Sequence, residues 1–211
     1  MHYIAIEGVI GVGKTSLCHL LAKHLSGQVV LEKHGENPFL EDFYENPQRY
    51  AFQTQMFFLL GRYRQQQDIR QQDLFHSALI SDYIFAKDRI FASLTLDERE
   101  YLLYDRVATL LERDILKPDL VVYLQSNTQR LLTNIRKRGR SYEKSISEEY
   151  IRSLVEAYNH FFFQYTETPL LVVDTTQIDF VHNEEDLRNL IDQFSKPLGG
   201  TKFYIPRLTG K

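Results

Sequence analysis

Two glycines, a lysine and a threonine at fixed spacing open the chain's chemistry. The stretch Glu7-Gly8-Val9-Ile10-Gly11-Val12-Gly13-Lys14-Thr15-Ser16 reads G-x-x-x-x-G-K-T, the P-loop pattern. Gly8, Gly11 and Gly13 free the backbone to wrap a phosphate chain with its N–H groups pointing inward. Lys14 then reaches the β- and γ-phosphates, the Thr15 hydroxyl can ligate Mg2+, and Ser16 stands beside them. Other residues sit where such chemistry needs partners. Glu32 directly follows the apolar run Val29-Val30-Leu31; it reads as a general base on a substrate hydroxyl, or as a solvated loop carboxylate. Asp82 ends Leu79-Ile80-Ser81-Asp82, the form of a Mg2+-linked carboxylate, with Asp174 in Val172-Val173-Asp174 as its rival. Arg136-Lys137-Arg138-Gly139-Arg140 packs four cations into five residues. That run is a solvated face, a nucleic-acid contact or a lid of arginines closing over a triphosphate, and the P-loop favours the lid. Gln55 and Arg62 are seven apart and share nearly one helical face. Gln55 could read a base edge through two hydrogen bonds, or simply border the core stripe.

These residues need a frame that brings them together. Five short apolar runs, at 3–6, 29–31, 78–80, 120–124 and 170–173, alternate with stretches of helical spacing. None alternates strictly, as befits strands covered on both faces. Strands separated by helices imply a parallel sheet of five strands, with ligands at the carboxyl ends. Helical patterns cover 15–25, 48–72, 84–94, 101–114, a segment starting at Leu131, 148–163 and 183–194. The helix over 101–114 carries a leucine stripe and reads as packing or an oligomer face. From Pro197 the chain, with Tyr204 and Arg207, reads as a loosely held tail over about 197–211.

Composition narrows the partners. The 211 residues, 43% of them hydrophobic, make one domain with a sizeable core. A net charge of −3 argues against a nucleic-acid partner. Cys18 is the one cysteine, so no intramolecular disulfide forms, and the seven histidines lack metal-ligand spacing. No run of 18 apolar residues predicts a membrane span, and strand one starts at once, so a cytoplasmic protein without a membrane partner is expected.

Taken in order, the loop from Gly8 to Ser16, Glu32, the turn Asn37-Pro38-Phe39-Leu40, the Tyr44…Gln55…Arg62 series and Arg138-Gly139-Arg140 resemble the deoxynucleoside kinase family over about residues 1–195. The bacterial deoxyadenosine/deoxyguanosine/deoxycytidine kinase branch is the most similar. The resemblance implies an α/β P-loop kinase fold, a three-layer sandwich with an arginine-rich lid at about 136–144, and a homodimer. It implies ATP and Mg2+ as cofactors and a deoxynucleoside, with purines favoured, as substrate. By motif, Glu32 would take the proton of the 5′-hydroxyl, and Tyr44 and Glu143 would hold the 3′-hydroxyl. Gln55 would pair with the base, Phe91 would stack on it, and Arg138 and Arg140 would clamp the phosphates.

The chain departs from that pattern in three places. Ser81-Asp82-Tyr83 stands where an acid, an arginine and a serine are usual. Asp82 is then expected as the Mg2+-linked group, and Lys87 or Arg89 as the missing positive charge. Lys87 also stands where an aspartate often pairs with the base-site arginine, here Arg62, so Asp88 is expected to compensate. Asn134 replaces an arginine, and Arg136 is expected to act for it. A nucleoside monophosphate kinase and a non-enzymatic nucleotide-binding regulator remain as alternatives.

Overall fold

A computed structural model describes residues 2–72, 78–194 and 199–206. Its centre is β1 (His2–Gly8), which pairs in parallel with β3 (Ala78–Ser81) on one side and β4 (Leu120–Gln125) on the other. β2 (Gln28–Val30) extends the sheet beyond β3, and β5 (Leu170–Asp174) and β6 (Thr201–Tyr204) extend it beyond β4. The order is β2-β3-β1-β4-β5-β6, all parallel. Consecutive residues of β3, β4 and β5 are buried, so both faces are covered by helices and the runs lack alternation.

The helices bury the faces their spacing predicts. α1 (Lys14–Leu25) sets Leu17, Cys18, Leu21 and Ala22 against the sheet. α6 (Thr128–Arg138) contributes Leu131, Leu132 and Ile135, and α7 (Glu148–Phe163) contributes Ile151, Leu154, Tyr158 and Phe162. α8 (Glu184–Phe194) packs through Leu190. A second cluster off the sheet joins α3 (Pro47–Gln72), α4 (Lys87–Thr95) and α5 (Glu98–Glu112) through Leu59, Phe85, Ala92, Tyr104 and Ala108. α2 (Leu40–Glu45) lies on α3 with Leu40, Phe43 and Ala51 at the contact.

The sheet has six strands where the sequence predicts five. Thr201–Tyr204 is short, follows Gly199-Gly200 and alternates exposed and half-buried residues, so it offers no continuous apolar run. Its pairing with β5 makes an edge strand of part of the expected loose tail; Arg207 and the rest of 207–211 lie outside the described residues. Three helix starts also move. α6 begins at Thr128 and not at Leu131, because the Asn127 side chain caps it by accepting from the Arg130 N–H. α5 begins at Glu98 because Asp97 and Glu100 form a capping box. α4 begins only at Lys87 because the Ile84 N–H is held by Glu7.

Candidate active site

The carboxyl ends of β1, β2, β3 and β5 open on one cavity of about 570 Å³. At its floor the loop after β1 turns through Gly8, Gly11 and Gly13, with φ of 149°, 88° and 105°, a region closed to most side chains. A Cβ on Gly13 would also meet the Phe180 ring at 2.9 Å. Gly13 caps α1 without a side-chain bond, which leaves the first N–H groups of the helix for an anion. Lys14 Nζ donates to the carbonyl of Gly8 at 2.7 Å. Burial, and then the like charge of Lys87, push the Lys14 amine down to about 8.

One carboxylate joins the two sides of the cavity. Asp82, buried just past β3, accepts from the Thr15 hydroxyl at 2.8 Å through one oxygen and from the Glu32 N–H at 2.7 Å through the other. Glu32, just past β2, is 8% exposed. Its side chain takes the Arg62 guanidinium on one oxygen, and Lys87 Nζ at 2.8 Å on the other. His34 Nδ1 lies 3.2 Å from that second oxygen. Burial would raise the Glu32 carboxyl, but the charges of Arg62 and then Lys87 outweigh it and hold it well below the usual carboxylate range. Burial also pushes His34 down to about 4, so its ring meets Glu32 uncharged near neutral pH.

α3 supplies one wall. Thr54, Gln55, Phe58 and Arg62 recur at helical spacing and all line the cavity. Gln55 Nε2 donates to Thr95 Oγ1 at 3.3 Å. Arg62 continues past Glu32 to Asp88, which gives it a second carboxylate partner. Lys87 Nζ lies 5.7 Å from the centre of the Phe91 ring. On the other wall Tyr44 faces Tyr142, rings nearly parallel at 6.5 Å. Burial first, then Tyr150 and Glu143, push the Tyr44 hydroxyl well above its ordinary value, so it stays a donor.

The segment over 136–144 closes that wall. α6 ends on Gly139 in the left-handed region, and a single 3-10 turn, Ser141–Glu143, follows. Glu143 is buried and accepts from Arg138 Nη2 at 2.5 Å, while Arg140 Nη1 stands 3.7 Å away.

Most sequence-predicted residues therefore converge: Gly11, Gly13, Lys14, Thr15, Ser16, Glu32, Tyr44, Gln55, Arg62, Asp82, Lys87, Phe91, Arg138, Arg140 and Glu143 line the same space. Gly8 lies at its base, tied to Lys14. Arg136 is the exception. It is exposed and off the cavity, because α6 turns 130, 134, 137 and 138 inward and puts 136 on the far side. Asp174 serves its own turn by accepting from the Thr176 N–H. Arg89 faces away, paired with Asp105 and Glu112, so Lys87 is the cation that reaches Glu32.

Several residues under and around the cavity were given no role by the sequence. Glu7, fully buried under the loop, accepts from the N–H groups of Gly8 and Ile84 at 3.0 Å each. His34, Arg130, Asn134 and residues 178–182 border the cavity. Residues 178–182 follow β5, the side of the sheet where the sequence offered only Asp174, and no residue pattern there singles them out.

A family model described as deoxynucleoside kinase matches residues 4–198. A deoxyguanosine kinase of Bacillus subtilis (strain 168) is 36% identical over 193 residues, covering 89% of this chain and 93% of that protein. A deoxyadenosine kinase of Dictyostelium discoideum is 35% identical, over 87% of this chain and 75% of its own. A solved structure of deoxyadenosine kinase from M. mycoides with bound dATP superposes with a TM-score of 0.81 at 27% identity, covering 93% of this chain and 100% of that one.

Proposed function

The chain belongs to the deoxynucleoside kinase family, and we propose that it moves the γ-phosphate of ATP to the 5′-hydroxyl of a deoxynucleoside, deoxyadenosine or deoxyguanosine ahead of the pyrimidines. The observation that carries this reading is the Asp82 bridge between Thr15 of the phosphate loop and Glu32 of the acceptor side. It sets the donor and acceptor groups around one point. Phosphoryl transfer has a loose transition state, so position and positive charge matter more than covalent help. Lys14 and the loop N–H groups receive the phosphates. Glu32 orients the 5′-hydroxyl for in-line attack and takes its proton late. Lys87, already at Glu32, supplies positive charge at the acceptor end. Arg138 and Arg140 exchange Glu143 for phosphate, and the freed Glu143 joins Tyr44 on the 3′-hydroxyl. Gln55 and Phe91 hold the base.

The Thr15 hydroxyl and Asp82 carboxylate are hard oxygen donors and fit Mg2+, which keeps waters and takes the rest of its shell from phosphates. Among the described residues no cluster of three or more His, Cys, Asp or Glu could cage a metal without substrate. The ion would neutralise charge on the β- and γ-oxygens. A nucleoside, not a monophosphate, suits the acceptor end, because Arg62 and Lys87 are already paired with Glu32 and Asp88. The proposal includes a homodimer and a cytoplasmic setting. No helix among the described residues is long and apolar enough to cross a membrane.

A coupled ATP-consumption assay tests the reading. It covers the four deoxynucleosides, their ribose counterparts and their monophosphates, with Mg2+ present. Turnover on purine deoxynucleosides is expected. Turnover on monophosphates alone would reassign the acceptor, and ATP binding without transfer to any nucleoside would leave a regulator.

A further inference from the structure

The strand order separates the two ends of the cavity. β2 and β3, which carry Glu32 and Asp82, lie on one side of β1; β4 and β5 lie on the other. The segment 175–183 leaves β5 on that second side and lines the cavity beside the phosphate loop, with the Phe180 ring against Gly13. Its root is tied to β4, where the Thr175 N–H and hydroxyl donate to the Gln125 carbonyl at 2.8 and 2.9 Å. Its far end is folded by Asp179, which accepts from the N–H groups of Val181 and His182 and donates its own to Asp186. The middle is held from outside. Arg130, in the first turn of α6, donates Nη1 to the Thr176 carbonyl at 2.7 Å and Nη2 to the Ile178 carbonyl. The fork of a guanidinium suits two carbonyls of one bend, and charge-assisted bonds are the stronger kind.

We infer that Arg130 is a positioning residue for the phosphate donor: by clamping the carbonyls of Thr176 and Ile178 it sets segment 175–183 as the wall against which the nucleoside part of ATP rests. The inference builds on the phosphate-transfer reading. Arg130 does not act on the phosphates. Its two η-nitrogens are committed to the loop, and Lys14 and the lid arginines already serve that end of the chain of charges.

The test compares the full-length protein with Arg130→Met and Arg130→Lys. In Arg130→Met the KM for ATP should rise about tenfold or more, the loss of two charge-assisted bonds, with the deoxynucleoside KM within about twofold. Arg130→Lys, which can serve one carbonyl, should fall between. Inhibition by inorganic tripolyphosphate, which has no nucleoside, should be unchanged. Amide hydrogen exchange over 176–182 should quicken in the ATP-free Met variant. An unchanged ATP KM, both KM values rising together, tripolyphosphate inhibition weakening in step with ATP, or exchange unaltered in a folded variant would each overturn the inference. If the unmodified protein transfers no phosphate, the underlying reading fails instead, and the exchange measurement still decides whether Arg130 orders the segment.

Discussion

At the scale of single residues, the cavity is a set of charges that constrain each other. Glu32 is held ionised by Arg62 and Lys87, so it is a weak base and its main task is to orient the acceptor hydroxyl. Glu32→Gln keeps the shape and removes the charge. Turnover should fall by roughly 10²-fold with a modest change in deoxynucleoside KM. Steady-state kinetics checks this, and unchanged turnover would remove Glu32 from the site. Lys14 makes a pH prediction. Its amine titrates at about 8 in the free protein because of burial and Lys87. A bound triphosphate favours the charged form and raises that value. The Lys14 contribution to ATP affinity is then complete on the acid side of that value, where the amine is already protonated, and is lost as pH climbs past about 8. The fall should approach about tenfold per pH unit. Calorimetric titration at several pH values would show it, with proton uptake on binding above that point.

At the scale of elements, helix ends do the positioning. α1 presents bare N–H groups at Gly13, whereas α5, α6 and α7 are capped by Asp97, Asn127 and Ser147. The contrast has a physical reason: an N-terminus meant for an anion must leave its donors open, and one meant only for stability closes them. Asp97 accepts from the N–H groups of Arg99 and Glu100, is exposed and does not line the cavity. Asp97→Ala should cost about 1 kcal/mol of stability, read as a lower Tm, with kcat and both KM values unmoved. A loss of activity at full stability would mean that α5 reports to the site. α3 plays the other role, a long rigid helix that presents Gln55 and Arg62 along one line.

At the scale of the whole molecule, α5 leaves an apolar face uncovered. Leu102, Leu103 and Leu110 are 57%, 53% and 61% exposed, while only Tyr104 and Ala108 of that helix are buried. Together with Arg106 these leucines share one side of the helix. The sequence left packing and an oligomer face open for this stripe, and its outward direction supports the oligomer face. We expect the protein to run as a dimer by light scattering and Leu103→Glu to run as a monomer. A monomeric parent chain would remove α5 from that role.

The sequence by itself determined the chemistry and most of the frame. The spacing of Gly8, Gly13, Lys14 and Thr15 dictates a phosphate cradle, because glycine suits those backbone angles and the helix start adds free N–H groups to those of the loop. The uninterrupted apolar runs dictate a buried parallel sheet, which puts Glu32 and Asp82 at one rim. Only the tertiary structure decided which charge meets which. The choice of Lys87 over Arg89 at Glu32 depends on the phase of α4, and the exclusion of Arg136 depends on the phase of α6; neighbouring positions stand about 100° apart, so the way each helix packs decides which cation faces the cavity. β6 became visible only through pairing, since an edge strand with one exposed face lacks the apolar signature of the strands inside. The clamp of Arg130 on the carbonyls of Thr176 and Ile178 left no trace in residue types. Backbone carbonyls are the same at every position, and the fold alone brings a particular pair within reach.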